Sequence, residues 1–277
     1  MIYGRCGARA RAKQKGSMSA RQISDWLMTL RPRSGSDMIT RCELAPVRAV
    51  LLDLDGTLVD SLPDIAGAVN ILLEEDGRET LSLDEVRAMV GHGIATLVKR
   101  ALAARGGVPE SGELALLVSR MMEIYGANLT SGTRLLPGAR ELLSRLAASG
   151  VALALVTNKP EAMSRRILAH FGLETLVPVV VGGDTCKTRK PDPEMLRHAM
   201  TLLKAEPGET VMVGDSAADI DAAHAAGVRS IVLSGGYGHG RAEDLGADVL
   251  VTGLEEAGEA IAAWQGAETE HASLSPS

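Results

Sequence analysis

The sequence predicts an α/β fold, a doubly wound parallel sheet into which an all-helical cap domain is inserted. Six short apolar, β-branched runs alternate with helical stretches over most of the chain, and one long segment after the first run contains helical stretches only. Near-continuous apolar strands that alternate with helices are typical of a parallel sheet covered on both faces, a Rossmann-like core. The chain has 277 residues, 45% of them hydrophobic, which suffices for such a core and a smaller domain.

Composition and pattern divide the chain into predicted regions. Residues 1–45 carry nine Lys/Arg against three Asp/Glu and lack a sustained apolar period, so we expect a disordered basic extension. The α/β catalytic core is predicted over 46–61 and 135–266, and the helical cap over 62–134. The polar tail at 267–277 is expected to be disordered.

The core elements follow from apolar runs and from helix start and stop residues. Pro137 and Gly150 bracket one predicted helix, in agreement with the preference for Pro at helix starts and Gly after helix ends. The predicted strands are 47–55, 151–158, 177–184, 210–216, 229–236 and 247–253, and the other predicted core helices are 161–171, 193–204 and 217–226.

The segment 62–134 has no strand candidate and four helical stretches. Ser82 and Glu85 have the spacing of a capping box at the start of one of them. Because this segment directly follows the first strand, we expect it to lie above the carboxyl edge of the sheet. Residues 235–240, GGYGHG, lack the spacing of a dinucleotide-binding loop and predict a turn-rich loop.

Polar residues stand at the predicted carboxyl ends of the strands, where parallel sheets bind ligands. Asp53 and Asp55 alternate at the end of the first run, so both are expected on one side, where their charges repel unless they cap a helix or share a cation. At the other strand ends stand Thr157, Asn158, Lys190, Asp215 and Asp219. Carboxylates for a hard cation, with a Lys, a hydroxyl and an amide, describe a site for phosphoryl transfer.

Four of these stretches resemble, in order, the motifs of the haloacid dehalogenase superfamily: DLDGT, VTN, the Lys of RKPDP, and GDSAAD. The resemblance covers about residues 46–254. The helical insert, together with VTNKP, RKPDP and the GHG of VGHGIATLVKRAL, resembles the phosphoglycolate phosphatase group of that superfamily.

The resemblance implies a role for each acid. Asp53 is expected to be the nucleophile that forms an aspartyl phosphate, and Asp55 the general acid and base. Mg²⁺ is expected on Asp53, on the backbone carbonyl of Asp55 and on Asp215, with Asp219 as an outer or water-mediated ligand. True dehalogenases of this superfamily lack the second acid of the pair, so Asp55 favours phosphoryl transfer.

The remaining residues are expected to bind substrate. Thr157 and Asn158 would hydrogen-bond the phosphoryl group, Lys190 would neutralise Asp53 and the transferred charge, and His92 of the cap would face the substrate. The expected enzyme is a Mg²⁺-dependent phosphatase of a small phosphate monoester, with 2-phosphoglycolate as the first substrate. Another small ester, pyrophosphate, a phosphosugar mutase and a non-catalytic phosphate-binding regulator stay open at this point.

Composition limits the partners. A net charge of −6 and 2% aromatic residues argue against a nucleic-acid partner, although the basic extension leaves a nucleic-acid tail or a transit peptide open. No secretory signal pattern and no run of 18 apolar residues is present, so we expect a cytoplasmic protein without a membrane partner. Three cysteines without CxxC spacing indicate reduced thiols.

Overall fold

The computed structural model describes residues 45–238 and 241–266, so nearly all of the predicted extension and the whole predicted tail lie outside the described residues. In chain order the strands are β1 (Ala49–Leu52), β2 (Val59–Asp60), β3 (Arg134–Leu135), β4 (Ala152–Val156), β5 (Val179–Val181), β6 (Thr210–Gly214), β7 (Arg229–Leu233) and β8 (Val249–Val251). Six of them form one parallel sheet in the order β5-β4-β1-β6-β7-β8. The strand order runs in opposite directions on the two sides of β1, which confirms the predicted doubly wound sheet.

Nine α-helices lie within the described residues. They are α1 (Leu62–Glu75), α2 (Leu83–Arg87), α3 (Ile94–Ala104), α4 (Ser111–Ala127), α5 (Ala139–Ala148), α6 (Glu161–His170), α7 (Glu194–Leu203), α8 (Ala217–Ala226) and α9 (Leu254–Gly266). Over the same residues, no helix combines the length and apolarity needed to cross a membrane.

The core has two apolar layers because strand side chains alternate between the faces of the sheet. Val50 and Leu52 of β1 pack in the layer that contains Leu143 of α5, whereas Leu51 packs in the layer that contains Ala223 of α8. All five side chains are fully buried. Covering both faces requires strands that are apolar along their whole length, which is the pattern that the sequence shows.

The cap consists of α1 to α4. Its buried interior includes Leu72 of α1, Val98 of α3 and Met121 of α4. The capping box predicted for α2 is present: the Glu85 backbone N–H donates to Ser82 Oγ, and the Ser82 backbone N–H donates to the Glu85 carboxylate.

Two short connections join the cap to the core. The strands β2 and β3 pair antiparallel at these connections. Asp64, in the first turn of α1, accepts hydrogen bonds from the backbone N–H groups of Gly132 and Thr133 at 2.6 and 2.7 Å, and from the Thr133 hydroxyl at 2.7 Å. The entering and leaving chains are therefore tied together, and we refer to residues 59–64 and 132–135 as the hinge.

Strand β1 ends earlier than the sequence predicts. It stops at Leu52, so Asp53 and Asp55 lie beyond the strand, and Asp55 makes only an isolated bridge with Val59. The argument that strand alternation places both acids on one side is therefore wrong. Both acids nevertheless line the same cavity, Asp53 directly after β1 and Asp55 just before the turn at residues 56–58.

Candidate active site

Asp53 and Lys190 form a buried ion pair at the carboxyl edge of the sheet. Lys190 Nζ lies 2.8 Å from Asp53 Oδ1 and 2.5 Å from Asp219 Oδ1, and it donates to the Val156 carbonyl at 2.6 Å. Asp53 is 8% exposed and Lys190 is 4% exposed. Burial raises the pKa of Asp53 to about 6, although the Lys190 charge opposes that rise. Burial alone would lower the pKa of Lys190, but Asp219 and Asp53 raise it above its ordinary value.

Asp215 and Asp219 complete a cluster of three buried carboxylates. One oxygen each of Asp53, Asp215 and Asp219 lies within 4.8 Å of the others. Asp215 accepts hydrogen bonds from the Thr57 hydroxyl at 3.0 Å and from the Tyr237 backbone N–H at 2.6 Å. Burial raises the pKa of Asp215 well above its ordinary value, and the charges of Asp219 and Asp53 raise it further. The three carboxylates therefore carry more negative charge than Lys190, which contacts two of them, can balance.

Asp219 also belongs to the N-terminus of α8. Its Oδ2 accepts hydrogen bonds from the Ser216 backbone N–H at 3.1 Å and from the Ser216 hydroxyl at 2.7 Å, which is the arrangement of a capping box. The helix start thus fixes Asp219, and Lys190 holds its other oxygen. Both Asp219 oxygens are therefore engaged within the protein.

Asp55 has its own lysine. Lys159 Nζ lies 2.8 and 2.9 Å from the two Asp55 oxygens, and the Ser61 hydroxyl donates to Asp55 Oδ1 at 2.5 Å. Lys159 is 5% exposed, and its Nζ lies 4.7 Å from the centre of the Tyr125 ring of α4. Burial alone would lower the pKa of Lys159, but Asp55 raises it above its ordinary value. Each acid of the DLD pair is therefore matched by a separate buried cation.

Thr157 and Asn158 follow β4, but they are engaged differently. Thr157 is buried and lines the cavity, and its Oγ1 accepts a hydrogen bond from the Lys159 backbone N–H at 3.3 Å, which leaves the hydroxyl proton for another acceptor. The Asn158 carboxamide donates to the carbonyls of Gly91 at 2.9 Å and Lys190 at 3.0 Å, and it accepts from the Lys190 backbone N–H. Asn158 therefore holds the Lys190 loop and touches the cap.

The cap closes a cavity of about 350 Å³ above these residues. Val90, Ile94 and Leu97 give the cap side an apolar wall, and Arg100 and His92 add polar groups. Arg100 Nη1 donates to the Met89 carbonyl at 2.9 Å and lies 3.3 Å from His92 Nδ1. Among residues 45–238 and 241–266, Arg100 has no carboxylate within ion-pair distance, so it brings a positive charge to the cavity.

All eight predicted site residues lie on this one cavity, namely Asp53, Asp55, His92, Thr157, Asn158, Lys190, Asp215 and Asp219. The sequence analysis missed Lys159 and Tyr237, and it assigned no role to Ser61. Charge balance could have revealed Lys159, because four acids gathered at the strand ends with one Lys leave negative charge that favours a further cation. For Tyr237 the GGYG pattern indicated only a turn.

The carboxylate cluster fits a divalent cation. Hard cations such as Mg²⁺ prefer oxygen ligands, and three buried carboxylates with mutual repulsion gain most from such an ion. Asp53 and Asp215 would hold it, together with the Asp55 carbonyl at the turn after β1. Without a cation, their raised pKa values record the cost of keeping them charged.

Comparison with known proteins agrees with this fold. Residues 50–233 match the model of the haloacid dehalogenase-like hydrolase family. The chain belongs to that family. It is a phosphoric monoester hydrolase, similar to enzymes named phosphoglycolate phosphatase.

Three relatives illustrate the similarity. The chain is 45% identical over 196 residues to a phosphoglycolate phosphatase of Cereibacter sphaeroides, a match that spans 71% of this chain and 89% of the relative. A crystal structure of a predicted phosphoglycolate phosphatase from Haemophilus somnus 129pt superposes with a TM-score of 0.74 at 30% identity, over 77% and 97% of the two chains. A mutant of CbbY from Rhodobacter sphaeroides, solved in complex with xylulose-(1,5)-bisphosphate, superposes with a TM-score of 0.67 at 27% identity. The match covers 76% of this chain and 98% of that chain.

Proposed function

We propose that this protein is a Mg²⁺-dependent phosphatase that hydrolyses a small phosphate monoester through an aspartyl phosphate, with 2-phosphoglycolate as its substrate. The observation that carries the proposal is the buried Asp53, paired with Lys190, clustered with two further carboxylates, and placed under a small cap cavity that contains Arg100. Curated relatives that carry the name phosphoglycolate phosphatase support the choice of substrate.

The reaction divides into two displacements. An Asp53 oxygen attacks phosphorus, the bond from phosphorus to the ester oxygen breaks, and Asp55 gives the departing alcohol a proton. Water then attacks the phosphoryl group on Asp53, Asp55 takes the proton of that water, and inorganic phosphate and free Asp53 are released. Lys190 holds Asp53 Oδ1, and no group among the described residues donates a hydrogen bond to Asp53 Oδ2, which leaves that oxygen available.

The surrounding groups stabilise the transferred charge. The Thr157 hydroxyl is placed to donate to a phosphoryl oxygen, and Lys190 balances the negative charge that Asp53 and the phosphoryl group bring together. A bound Mg²⁺ would neutralise the phosphoryl oxygens. We infer that Asn158 supports the site indirectly, because its side-chain amide is bound to the backbone carbonyls of Gly91 and Lys190 and holds these two segments in place.

Substrate choice is assigned to the cap. A cavity of about 350 Å³ is small, since pockets for drug-sized ligands span roughly 300–1,000 Å³. Among the described residues, Arg100 Nη1 donates to the Met89 carbonyl and lies 3.3 Å from His92 Nδ1, whereas its Nε and Nη2 have no acceptor. A planar guanidinium with free donors binds a carboxylate in a bidentate manner, which is the group that distinguishes 2-phosphoglycolate from an aryl phosphate.

A phosphate-release screen tests the proposal. Purified protein with Mg²⁺ is given 2-phosphoglycolate, hexose phosphates, pyrophosphate and 4-nitrophenyl phosphate, and kcat/KM is compared. We expect 2-phosphoglycolate to rank first. If a hexose phosphate or pyrophosphate ranks first by tenfold, about 1.4 kcal/mol, the substrate assignment fails and the phosphatase assignment stands. Appearance of an isomeric sugar phosphate would instead identify a mutase.

Arg100→Met sharpens the same experiment. A hydrogen bond to a charged group contributes about 1.5–3 kcal/mol, so we expect kcat/KM for 2-phosphoglycolate to fall roughly 10- to 100-fold, and that for 4-nitrophenyl phosphate to change less than about threefold. Lys99→Met is the matched control, because Lys99 precedes Arg100 on α3, is exposed, and does not line the cavity. Equal losses on both esters in Arg100→Met would contradict the subsite.

A further inference from the structure

The hydroxyl of Tyr237 joins the core to the hinge. Tyr237 lies in the loop after β7 and is 7% exposed. Its hydroxyl oxygen accepts hydrogen bonds from the backbone N–H groups of Ser61 at 2.8 Å and Leu62 at 3.0 Å, and the hydroxyl donates to Asp60 Oδ1. Asp60 belongs to β2, and Leu62 is the first residue of α1. One side chain of the core therefore contacts three consecutive residues where the chain enters the cap.

This contact explains how the first cap helix begins. The first N–H groups of a helix have no partner within the helix, and a Ser at the N-cap position ordinarily accepts from one of them. Ser61 occupies that position, but it makes no side-chain cap and donates its hydroxyl to Asp55 Oδ1 at 2.5 Å. The Tyr237 oxygen accepts from the N–H groups of the N-cap residue Ser61 and of the first helical residue Leu62, which are not the groups that a Ser cap serves. The Tyr237 hydroxyl therefore fixes the start of the helix, while the Ser61 hydroxyl holds Asp55.

The backbone of Tyr237 is fixed to the acid cluster. Its N–H donates to Asp215 Oδ2 at 2.6 Å, and the Gly238 N–H donates to the same oxygen at 3.2 Å. The loop reaches Asp215 only because its neighbours are glycines: a Cβ on Gly236 would lie 2.2 Å from Asp215 Cβ, and one on Gly238 would lie 2.1 Å from the Asp215 carbonyl oxygen. The glycines of the GGYG sequence are therefore needed for the close approach of the loop to Asp215, and not only for a turn.

The ring of Tyr237 also meets the cap. The Arg87 guanidinium carbon, at the end of α2, lies 5.6 Å from the ring centre, a distance at which cation and ring attract. Tyr237 thus touches the acid cluster through its backbone, the hinge through its hydroxyl and the cap through its ring.

We propose that Tyr237 is a positioning residue, whose hydroxyl fixes the hinge so that Ser61 holds Asp55 at the place where the leaving oxygen needs a proton. The proposal rests on the proposed function, since it assigns Asp55 to proton transfer. Loss of the hydroxyl leaves the Ser61 N–H without its acceptor and the Leu62 N–H with only the longer contact to Asp60 Oδ1 at 3.3 Å, which lets the start of α1 and the Ser61 side chain shift. Attack by Asp53 does not depend on this contact, because Asp53 is held by Lys190.

Tyr237→Phe tests the proposal, because it keeps the ring near Arg87 and the backbone N–H to Asp215. We compare kcat/KM for 2-phosphoglycolate, or for another alkyl phosphate if the screen ranks one higher, with kcat/KM for 4-nitrophenyl phosphate. An alkoxide departs poorly without a proton, whereas 4-nitrophenolate departs readily. A displaced acid should therefore reduce kcat/KM for the alkyl ester about tenfold or more and for the aryl ester less than about threefold. Hydrogen exchange at the Ser61 and Leu62 amides should become faster.

Asp55→Asn provides the reference, since it removes the proton donor itself. If Asp55→Asn lowers kcat/KM for both esters equally, the proton-transfer role fails, and with it this part of the proposed function. If Asp55→Asn is selective for the alkyl ester while Tyr237→Phe reduces both esters equally or neither, the positioning role of Tyr237 is overturned and the proposed function stands. Unchanged exchange at the Ser61 and Leu62 amides would overturn the hinge contact on which the proposal depends.

Discussion

The two sides of the cavity are built on different principles. On the core side the acids are matched by buried cations or by fixed N–H and O–H donors: Asp53 with Lys190, Asp55 with Lys159, and Asp215 with the Tyr237 backbone. On the cap side the wall is mostly apolar, and Arg100 carries a charge without a carboxylate partner among the described residues. Most polar groups of the core side bond to one another, with Asp53 Oδ2 and the Thr157 hydroxyl proton left for a phosphoryl group, whereas the cap side keeps the donors of Arg100 for the rest of a ligand.

This difference predicts which substitutions should change turnover and folding stability and which should change only substrate preference. A residue of the core side serves both the chemistry and the charge balance of a buried site, so its removal stops turnover and changes the folding stability in the direction set by the charges that remain. A residue of the cap side contacts the variable part of the substrate, so its removal should alter relative preference. Four predictions test this division, beginning with the largest expected effect.

Asp53→Asn should abolish turnover without unfolding the protein. The amide has almost the same shape but cannot attack phosphorus, so we expect kcat to fall by at least about three orders of magnitude. Burial raises the pKa of Asp53 to about 6, which means that the neutral side chain suits its surroundings. In EDTA the Tm should therefore stay equal or rise. A variant that retains more than about a tenth of the wild-type activity would exclude Asp53 as the nucleophile.

Lys190→Met should destabilise the fold as well as stop turnover. The substitution leaves Asp53 and Asp219 buried without their shared cation, and breaking a buried ion pair costs about 3–5 kcal/mol. Urea unfolding in EDTA measures the loss. Arg165→Met is the matched control, because it removes the cation of the exposed pair with Glu161, where about 0–1 kcal/mol is expected. Similar losses in the two variants would show that the core network contributes no more than a surface pair.

The sequence predicts the core elements because their signals are local. The helix predicted at 217–226 matches Ala217–Ala226, and each of the six predicted strands contains one strand of the observed sheet. Strand ends are less well predicted: the run at 210–216 ends as a strand at Gly214, because apolar pattern does not show where the chain leaves the sheet. Helix α5 begins at Ala139, two residues after the predicted start at Pro137.

The parts that the sequence does not predict depend on contacts between distant residues. The two-residue strands β2 and β3 have no periodicity and exist only through their pairing across the cap. Tyr237 meets Ser61 from 176 residues away, and the hydroxyl of Ser61 is diverted from its helix to Asp55. The sequence position of Asn158 predicts a ligand of the phosphoryl group, whereas its side-chain amide donates to the Gly91 and Lys190 carbonyls, which only the folded chain brings near it.

Mg²⁺ should stabilise the protein in a pH-dependent manner. Since the folded-state pKa of Asp53 is raised to about 6 and that of Asp215 is raised as well, their contribution to stability without metal is present below about pH 4 and is lost as pH rises through 6. A bound cation offsets this loss, and it needs the ionised carboxylates. At 100 times its Kd, Mg²⁺ adds about 2.7 kcal/mol, roughly 5–10 °C in Tm.

The measurement is the Mg²⁺-induced change in Tm at pH 5 and at pH 7.5. We expect the larger rise at pH 7.5, because protons compete for the carboxylates at pH 5. Asp215→Asn should reduce the rise at pH 7.5, since it removes one proposed ligand. An equal rise in Tm at both pH values, or an undiminished rise in Asp215→Asn, would mean that the cation does not bind to the carboxylate cluster of the core.

His92→Ala should have the smallest effect and should change substrate preference alone. His92 lines the cavity and its Nδ1 lies 3.3 Å from Arg100 Nη1, so we expect it to orient the guanidinium. A misoriented Arg100 should lower kcat/KM for 2-phosphoglycolate about two- to fivefold, less than 1 kcal/mol, and leave 4-nitrophenyl phosphate unchanged. If His92 acts through Arg100, adding His92→Ala to Arg100→Met should cause no further loss, because neighbouring residues that share one contact are not additive. A full additional loss in the double variant would mean that His92 contacts the substrate itself. If His92→Ala lowers kcat/KM for both esters, the cap affects phosphoryl transfer itself and not only substrate preference.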